Sequence, residues 1–185
     1  MARLIYSAIA SLDGYTVDAD GRFDWAAPDE AVHASVNDLI RPVGTYLYGR
    51  RMYDTMAVWQ TMGEGEPPVV QDFADLWRAA DKVVYSTTLT EVTTPRTRLV
   101  PAFDPAEVRD LLDRTDRDVG IGGPGLAAAA IRAGLVDEYH LVLVPILVGG
   151  GTRALPDGIR IPLDLREERR FADGTMLLRY TRRAS

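Results

Sequence analysis

Four glycines within six positions, set between an apolar run and a run of alanines, dictate a strand, a tight turn and a helix in immediate succession. The stretch is Val119-Gly120-Ile121-Gly122-Gly123-Pro124-Gly125-Leu126, continuing into Ala127 to Ala130. Glycine lets the backbone approach a ligand closely, and a helix N-terminus offers unpaired N–H groups with a partial positive charge. Together they favour a phosphate or the pyrophosphate of a dinucleotide. The spacing is not G-x-G-x-x-G and no Walker lysine follows, so a plain tight turn stays open as a reading of these residues alone.

The rest of the chain fits an alternating pattern. Arg3 to Ala10 is a near-continuous apolar run, as expected of a strand covered on both faces. Pro28-Asp29-Glu30 opens a helix through about Ile40, with proline and acids where a first turn favours them. Short strands are expected at Thr45–Tyr48, Lys82–Ser86 and Arg98–Val100, and helices at Gln71–Ala80, from Pro105 to Arg114, and at Ala127–Ala133. Gly63 to Pro68 reads as a mobile loop, and Tyr139 to Val148 as a long strand leading to Gly149-Gly150-Gly151. Two alternating segments, Leu163–Arg170 and Thr175–Arg182, joined by Ala172-Asp173-Gly174, read as an antiparallel hairpin. The expected fold is therefore α/β, a three-layer αβα sandwich whose mostly parallel central sheet ends in a C-terminal antiparallel hairpin. With no internal repeat and no long linker, residues 1–185 read as one domain.

Composition narrows the function. The net charge of −6 argues against a nucleic-acid surface. Without cysteine there is no thiolate nucleophile or cysteine metal site, and two histidines cannot build a His-rich one, so no metal is expected. No apolar run approaches the length of a membrane span, and the expected location is the cytoplasm. His33 and His140 read as a helix position and a strand position without catalytic duty.

Ligands of such sheets bind outside the carboxyl ends of the strands. Four segments fall there: Ser11-Leu12-Asp13-Gly14, Gly49-Arg50-Arg51, Ser86-Thr87-Thr88 and Gly122-Gly123-Pro124-Gly125. Arg50 and Arg51 supply planar forks for phosphate oxygens. They also open a helix, where a cation is unfavourable without an anion nearby. Ser86 to Thr88 supply hydroxyls, or simply a turn and a cap.

Taken in order, these motifs resemble the dihydrofolate reductase-like superfamily, and within it the C-terminal reductase domain of the bifunctional riboflavin-biosynthesis deaminase–reductase. The matching stretches are Ala10-Ser11-Leu12-Asp13-Gly14-Tyr15, Tyr48-Gly49-Arg50-Arg51-Met52-Tyr53, Val84-Tyr85-Ser86-Thr87, Ile121-Gly122-Gly123-Pro124-Gly125-Leu126, and Leu135 to Tyr139 through Pro145 and the triple glycine. The resemblance implies NADPH. Gly49, Arg50 and Arg51 would hold the adenosine-side phosphates, and Ser86 and Thr87 would meet the 2′-phosphate and ribose. Ile121, Gly122, Gly123, Pro124, Gly125 and Leu126 would embrace the pyrophosphate. Ile9, Ala10 and the loop from Asp13 to Tyr15 would lie near the nicotinamide.

The resemblance also implies hydride transfer to a small heteroaromatic or conjugated compound, with 5-amino-6-(5-phosphoribosylamino)uracil reduction as the nearest named activity. A homodimer would fit it too. Such a reaction needs a proton. Trp25-Ala26-Ala27-Pro28-Asp29-Glu30 resembles the folate reductases' segment that places a catalytic acid, with Glu30 at the acid position and Asp13 as a second candidate. Val142 stands where those enzymes carry the threonine that partners the acid. Two alternatives remain: folate-type reduction, and a non-catalytic module binding NADPH or a flavin nucleotide.

Overall fold

The computed structural model describes residues 2–63 and 65–183. Glu64, in the loop expected at Gly63 to Pro68, lies outside the described residues. In chain order the elements are β1 (Leu4–Ser11), β2 (Tyr15–Val17), α1 (Glu30–Ile40), β3 (Val43–Gly49), α2 (Arg50–Met56), α3 (Pro68–Ala79), β4 (Asp81–Tyr85) and β5 (Thr97–Val100). There follow α4 (Pro105–Arg114), β6 (Asp118–Gly122), α5 (Pro124–Arg132), β7 (Glu138–Val144), β8 (Thr152–Arg153), β9 (Leu163–Arg170) and β10 (Met176–Arg182).

Eight strands form one sheet in the order β5-β4-β3-β6-β1-β7-β10-β9. From β5 to β7 every pairing is parallel, and β10 and β9 join as the antiparallel hairpin. The expected architecture is the observed one. Two details differ. The β7 strand stops at Val144 because Pro145 cannot donate to a ladder, and Ile146 N–H turns back to the Val144 carbonyl at 2.8 Å. The small antiparallel pair β2–β8 was not foreseen, since each partner is too short to show a period.

Alternation along the strands sorts the side chains onto two faces. One face carries Leu4, Tyr6, Leu47, Val119, Ile121 and Tyr139 and is covered by α4 and α5 through Val108, Leu112, Ala127, Ala130 and Ile131. On the other, α2 and α3 cover Tyr46, Tyr48 and Val84 with Tyr53 and Trp77, while α1 covers Ile9, Val142 and Leu177 with Val32, Val36 and Leu39.

The β6 strand lies in the middle, inserted between β3 and β1 after the chain has built β4 and β5. Its glycines make that insertion possible. Tyr46 and Tyr48 stack at 5.4 Å between ring centroids, and their rings lie against the side-chain-free surface of Gly120 and Gly122. A Cβ at Gly120 would stand 2.9 Å from the Tyr46 ring, and one at Gly122 would stand 2.7 Å from Tyr48 Cε1. We expect Gly122→Ala to cost about 1–3 kcal/mol, as overpacking of a filled core does. The check is the midpoint of denaturant unfolding, with an unchanged midpoint refuting the packing assignment.

Candidate functional site

Parallel pairing sets the strand ends side by side. Gly49 of β3 is in register with Tyr85 of β4, and Tyr48 with Gly122 of β6, while Tyr6 of β1 aligns with Ile121. The turns after β4, β3 and β6 and the end of β1 thus form one edge, spanning about 14 Å at the usual spacing between strands. Three of the four segments expected at this edge meet directly. The Arg50 guanidinium donates to Thr88 Oγ1 at 3.0 Å and lies 3.6 Å from Asp54, joining the start of α2 to the turn after β4. A Cβ on Gly49 would reach within 4.0 Å of Leu126 in α5. Arg51 and Thr87 are exposed at the same edge.

The glycines of the β6–α5 turn have separate reasons. Gly120 and Gly122 answer to the tyrosines. Gly123 has φ +87°, a left-handed conformation that only glycine adopts without strain, and a Cβ there would also crowd Met52 at 3.1 Å. Gly125 answers to nothing inside the protein: its φ is not left-handed and an added Cβ would meet no atom within 4 Å. It sits in the first turn of α5, which begins at Pro124 and has no side-chain cap. The N–H groups of Gly125 and Leu126 therefore face outward at the positive end of the helix. Ile121 (2 % exposed) turns its side chain into the core and offers the site backbone only; Ala10 is equally buried.

Beside Gly125 opens a cleft of about 470 Å³, lined by Tyr15, Arg132, Gly151, Arg153 and Asp157 among others. The Arg153 guanidinium lies 5.2 Å from the centre of the Tyr15 ring and 3.7 Å from the Asp157 carboxylate. Sequence reading pointed to Tyr15 and the triple glycine but not to Arg132, Arg153 or Asp157. Arg153 follows the triple glycine by two positions, but nothing local says that β8 folds back against β2.

Ser86 Oγ accepts from the N–H groups of Thr88 and Leu89 at 3.2 and 3.0 Å and lies 3.4 Å from Thr88 Oγ1, so it shapes the turn. Asp13, expected as a candidate acid, has another duty. Its two carboxylate oxygens accept from the N–H groups of Val148 and Gly149 at 3.2 and 2.8 Å. The Ser11 hydroxyl and these amides hold its carboxyl below the usual range, so it is ionised where a proton donor would have to be protonated. Glu30 stands exposed at the first position of α1, with Asp29 capping the helix through Val32 N–H, and among the described residues no hydrogen bond holds Glu30. Trp25, in a short 3₁₀ turn packed against β1, leaves its indole N–H buried without a protein partner. Among the described residues no cluster of three or more acids or histidines is arranged to hold a metal ion, and no helix is long and apolar enough to cross a membrane.

The fold is an α/β sandwich that brings two helix N-termini, Arg50, Arg51 and Gly125 to one carboxyl edge of the sheet. The family is specific: residues 2–178 match the model of the RibD C-terminal domain, and the chain belongs to that family. It is 27% identical over 180 residues to the uncharacterised protein YyaP of Bacillus subtilis, covering 96% of this chain and 94% of that one. It is 31% identical over 153 residues to the riboflavin biosynthesis protein RibD of Mycobacterium tuberculosis, covering 80% of this chain and 43% of RibD. The fold is shared with a Thermotoga maritima diaminohydroxyphosphoribosylaminopyrimidine deaminase/5-amino-6-(5-phosphoribosylamino)uracil reductase. That crystal structure superposes with a TM-score of 0.68 at 15% identity, over 98% of this chain and 56% of the other.

Asp13 ties the end of β1 to the loop after β7, so Asp13→Ala should speed hydrogen exchange at the Val148 and Gly149 amides at least about tenfold while leaving global stability nearly unchanged. Because its pKa is depressed in the fold, the tie is present above the ordinary carboxylate pKa and lost as pH falls through the lowered value. Amide exchange followed by NMR reads both effects.

Proposed function

We propose that this chain is an NADPH-dependent reductase acting on a small heteroaromatic or conjugated compound, with 5-amino-6-(5-phosphoribosylamino)uracil as the nearest named substrate. Residues 1–185 act as one catalytic domain of a cytoplasmic enzyme in the chemistry of riboflavin biosynthesis. The observation that carries the reading is Gly125, a helix-opening glycine for which the protein itself has no use, at the uncapped N-terminus of α5.

NADPH, when bound, supplies the hydride. The chain's part is to bind and orient it. The Gly125 and Leu126 N–H groups face the pyrophosphate, with Gly122, Gly123 and Pro124 forming the close-approach turn. Gly49, Arg50 and Arg51 hold the adenosine-side phosphates, while Ser86 and Thr87 meet the ribose and 2′-phosphate. Ile9 and Ala10 lie toward the nicotinamide. The orphaned indole N–H of Trp25 suits a polar atom of the substrate better than an empty core, because a buried unsatisfied donor costs about 1–3 kcal/mol.

We also read the chain as a homodimer. Leu141, Leu143, Met176 and Leu178 lie together on one face of β7 and β10, half-exposed, and Leu165 on β9 adds an exposed leucine to the same face. A contiguous apolar face of this kind marks an interaction surface. Leu178→Glu should convert a dimer to a monomer in analytical ultracentrifugation; a wild type that sediments as a monomer refutes the dimer.

Thermal unfolding with NADPH, NADH and flavin nucleotides tests the cofactor. A ligand at about 100 times its dissociation constant stabilises by about 2.7 kcal/mol, several degrees for a domain of this size. NADPH should give the largest shift. Arg50→Ala should weaken NADPH more than NADH. Gly125→Ala should leave the unliganded midpoint unchanged or raised, since alanine favours a helix, and still weaken NADPH at least about tenfold. A larger shift with a flavin nucleotide, or an indifferent Gly125→Ala, would overturn the assignment.

A further inference from the structure

Central strands of an αβα sandwich are covered on both faces. Ser7, halfway along β1, is nevertheless exposed. It shares its face with Ile9 and follows directly on Tyr6, the last β1 residue in register with β6. On one side α1 packs over Ile9 and Val142; on the other α2 and α3 pack over Tyr46 and Tyr48. Between those helices Ser7 reaches the surface, while Gly120 and Gly122 on the neighbouring strand lie buried beneath the Tyr46 and Tyr48 rings.

Behind Ser7 stands a chain of buried groups. His140, its register partner on β7, places Nδ1 3.3 Å from Ser7 Oγ, and Nε2 2.8 Å from Glu138 Oε1. His140 is 3 % and Glu138 1 % exposed. Arg179 and Arg3 also donate to Glu138, at 2.7 and 2.6 Å, so its carboxylate is ionised and can only accept. Nε2 of His140 therefore carries the ring proton of the neutral imidazole, and Nδ1 accepts from the Ser7 hydroxyl. When the ring gains a second proton, Nδ1–H donates to Ser7 Oγ and turns the Ser7 O–H outward to the surface. The protonation of His140 thus sets whether Ser7 presents an acceptor or a donor to a bound molecule.

We propose that Ser7 is a catalytic residue that hands the proton to the reduced substrate, and that His140 and Glu138 are the positioning residues that resupply and orient it. The proposal rests on the reductase reading above. In the reaction a hydride from the reduced nicotinamide forms a C–H bond at a C=N carbon. The π pair moves to nitrogen, which takes the Ser7 hydroxyl proton; the His140 Nδ1 proton passes to Ser7 Oγ, and the ring returns to neutral. One hydride and one proton are consumed, and water restores the imidazolium.

The groups facing His140 set its pH range. Glu138 from its own strand favours the imidazolium, whereas Arg179 from β10 and Arg3, just before β1, oppose it. Asp118 from β6 and Glu167 from β9 pair with those arginines, and α1 faces this part of the sheet with Val32, Val36 and Leu39. Burial outweighs Glu138 and holds the ring below its ordinary value. A proton donor of this kind is active when charged, so turnover should fall as pH rises through a value below about 6.5.

The test uses the whole chain with NADPH and 5-amino-6-(5-phosphoribosylamino)uracil, with dihydrofolate as the second substrate. Ser7→Ala should lower kcat about 100-fold with NADPH affinity within about twofold of wild type, and Ser7→Thr should restore most of the loss. His140→Gln should remove the pH limb. Independently of turnover, ¹⁵N NMR of the apoprotein should show the His140 Nδ1 resonance moving in Ser7→Ala, as loss of its donor requires. An active wild type with an indifferent Ser7→Ala, a pH limb that survives His140→Gln, or an unmoved Nδ1 resonance overturns the relay alone. A wild type that neither binds nor oxidises NADPH removes the reductase reading and the relay with it.

Discussion

Everything at the carboxyl edge depends on the contact between Tyr46, Tyr48 and the bare backbone of Gly120 and Gly122. A residue larger than glycine in β6 would push the tyrosine rings, and with them α2, away from the sheet. The close approach lets Met52 of α2 sit over Gly122 and Gly123, so the start of α2 and the start of α5 converge on one edge. Two positive helix ends, one with Arg50 and Arg51 and one with Gly125, are then held side by side by core packing and not by any direct bond between them.

At the opposite, amino end of the strands the sheet is tied by charge. Arg3, just before β1, and Asp118, Glu138, Arg179 and Glu167 of β6, β7, β10 and β9 form one chain of ion pairs. Buried ion pairs contribute little net stability, because desolvation offsets most of their attraction. Their consequence is orientation. Burial would push the Glu138 carboxyl up, yet hydrogen bonds from His140 and Arg179 hold it below the usual range, and that fixed charge decides the tautomer of His140. A purely apolar anchor at this end would serve the fold as well and leave Ser7 without a defined partner.

The sequence was most legible where one element's period or a glycine stop decides the matter. The β6–α5 turn, the β9–β10 hairpin and the parallel run of strands are local signals, whereas the sheet order, with β6 between β3 and β1, is not. What could not be read depends on pairs far apart in the chain. Glu138 and His140 alternate on one strand, a pattern that places both on one face, but only the pairing of β7 with β1 and β10 brings them to Ser7 and Arg179. Asp13 in a Leu-Asp-Gly turn looks the same whether it donates a proton or binds amides 135 and 136 residues away. Gly123 and Gly125 are indistinguishable as letters, yet backbone conformation requires one and leaves the other unexplained by the fold.

That contrast bears on how an acidic chain selects an anionic ligand. With a net charge of −6, the far field of the molecule repels anions, so long-range steering does not favour the NADPH proposed above. Attraction has to come from groups within a Debye length of the edge, roughly 8 Å at physiological salt. In the proposed reading the α5 amides, Arg50, Arg51, Arg132 and Arg153 supply it, and among the described residues Asp54 and Asp157 are the carboxylates that pair with Arg50 and Arg153. Because the helix amides are fixed in place and Arg50 is already held by Thr88, little side-chain freedom is lost when a phosphate arrives. Added salt screens the repulsive far field more than these short contacts. Binding to this edge should therefore weaken with ionic strength less steeply than the count of arginines alone suggests.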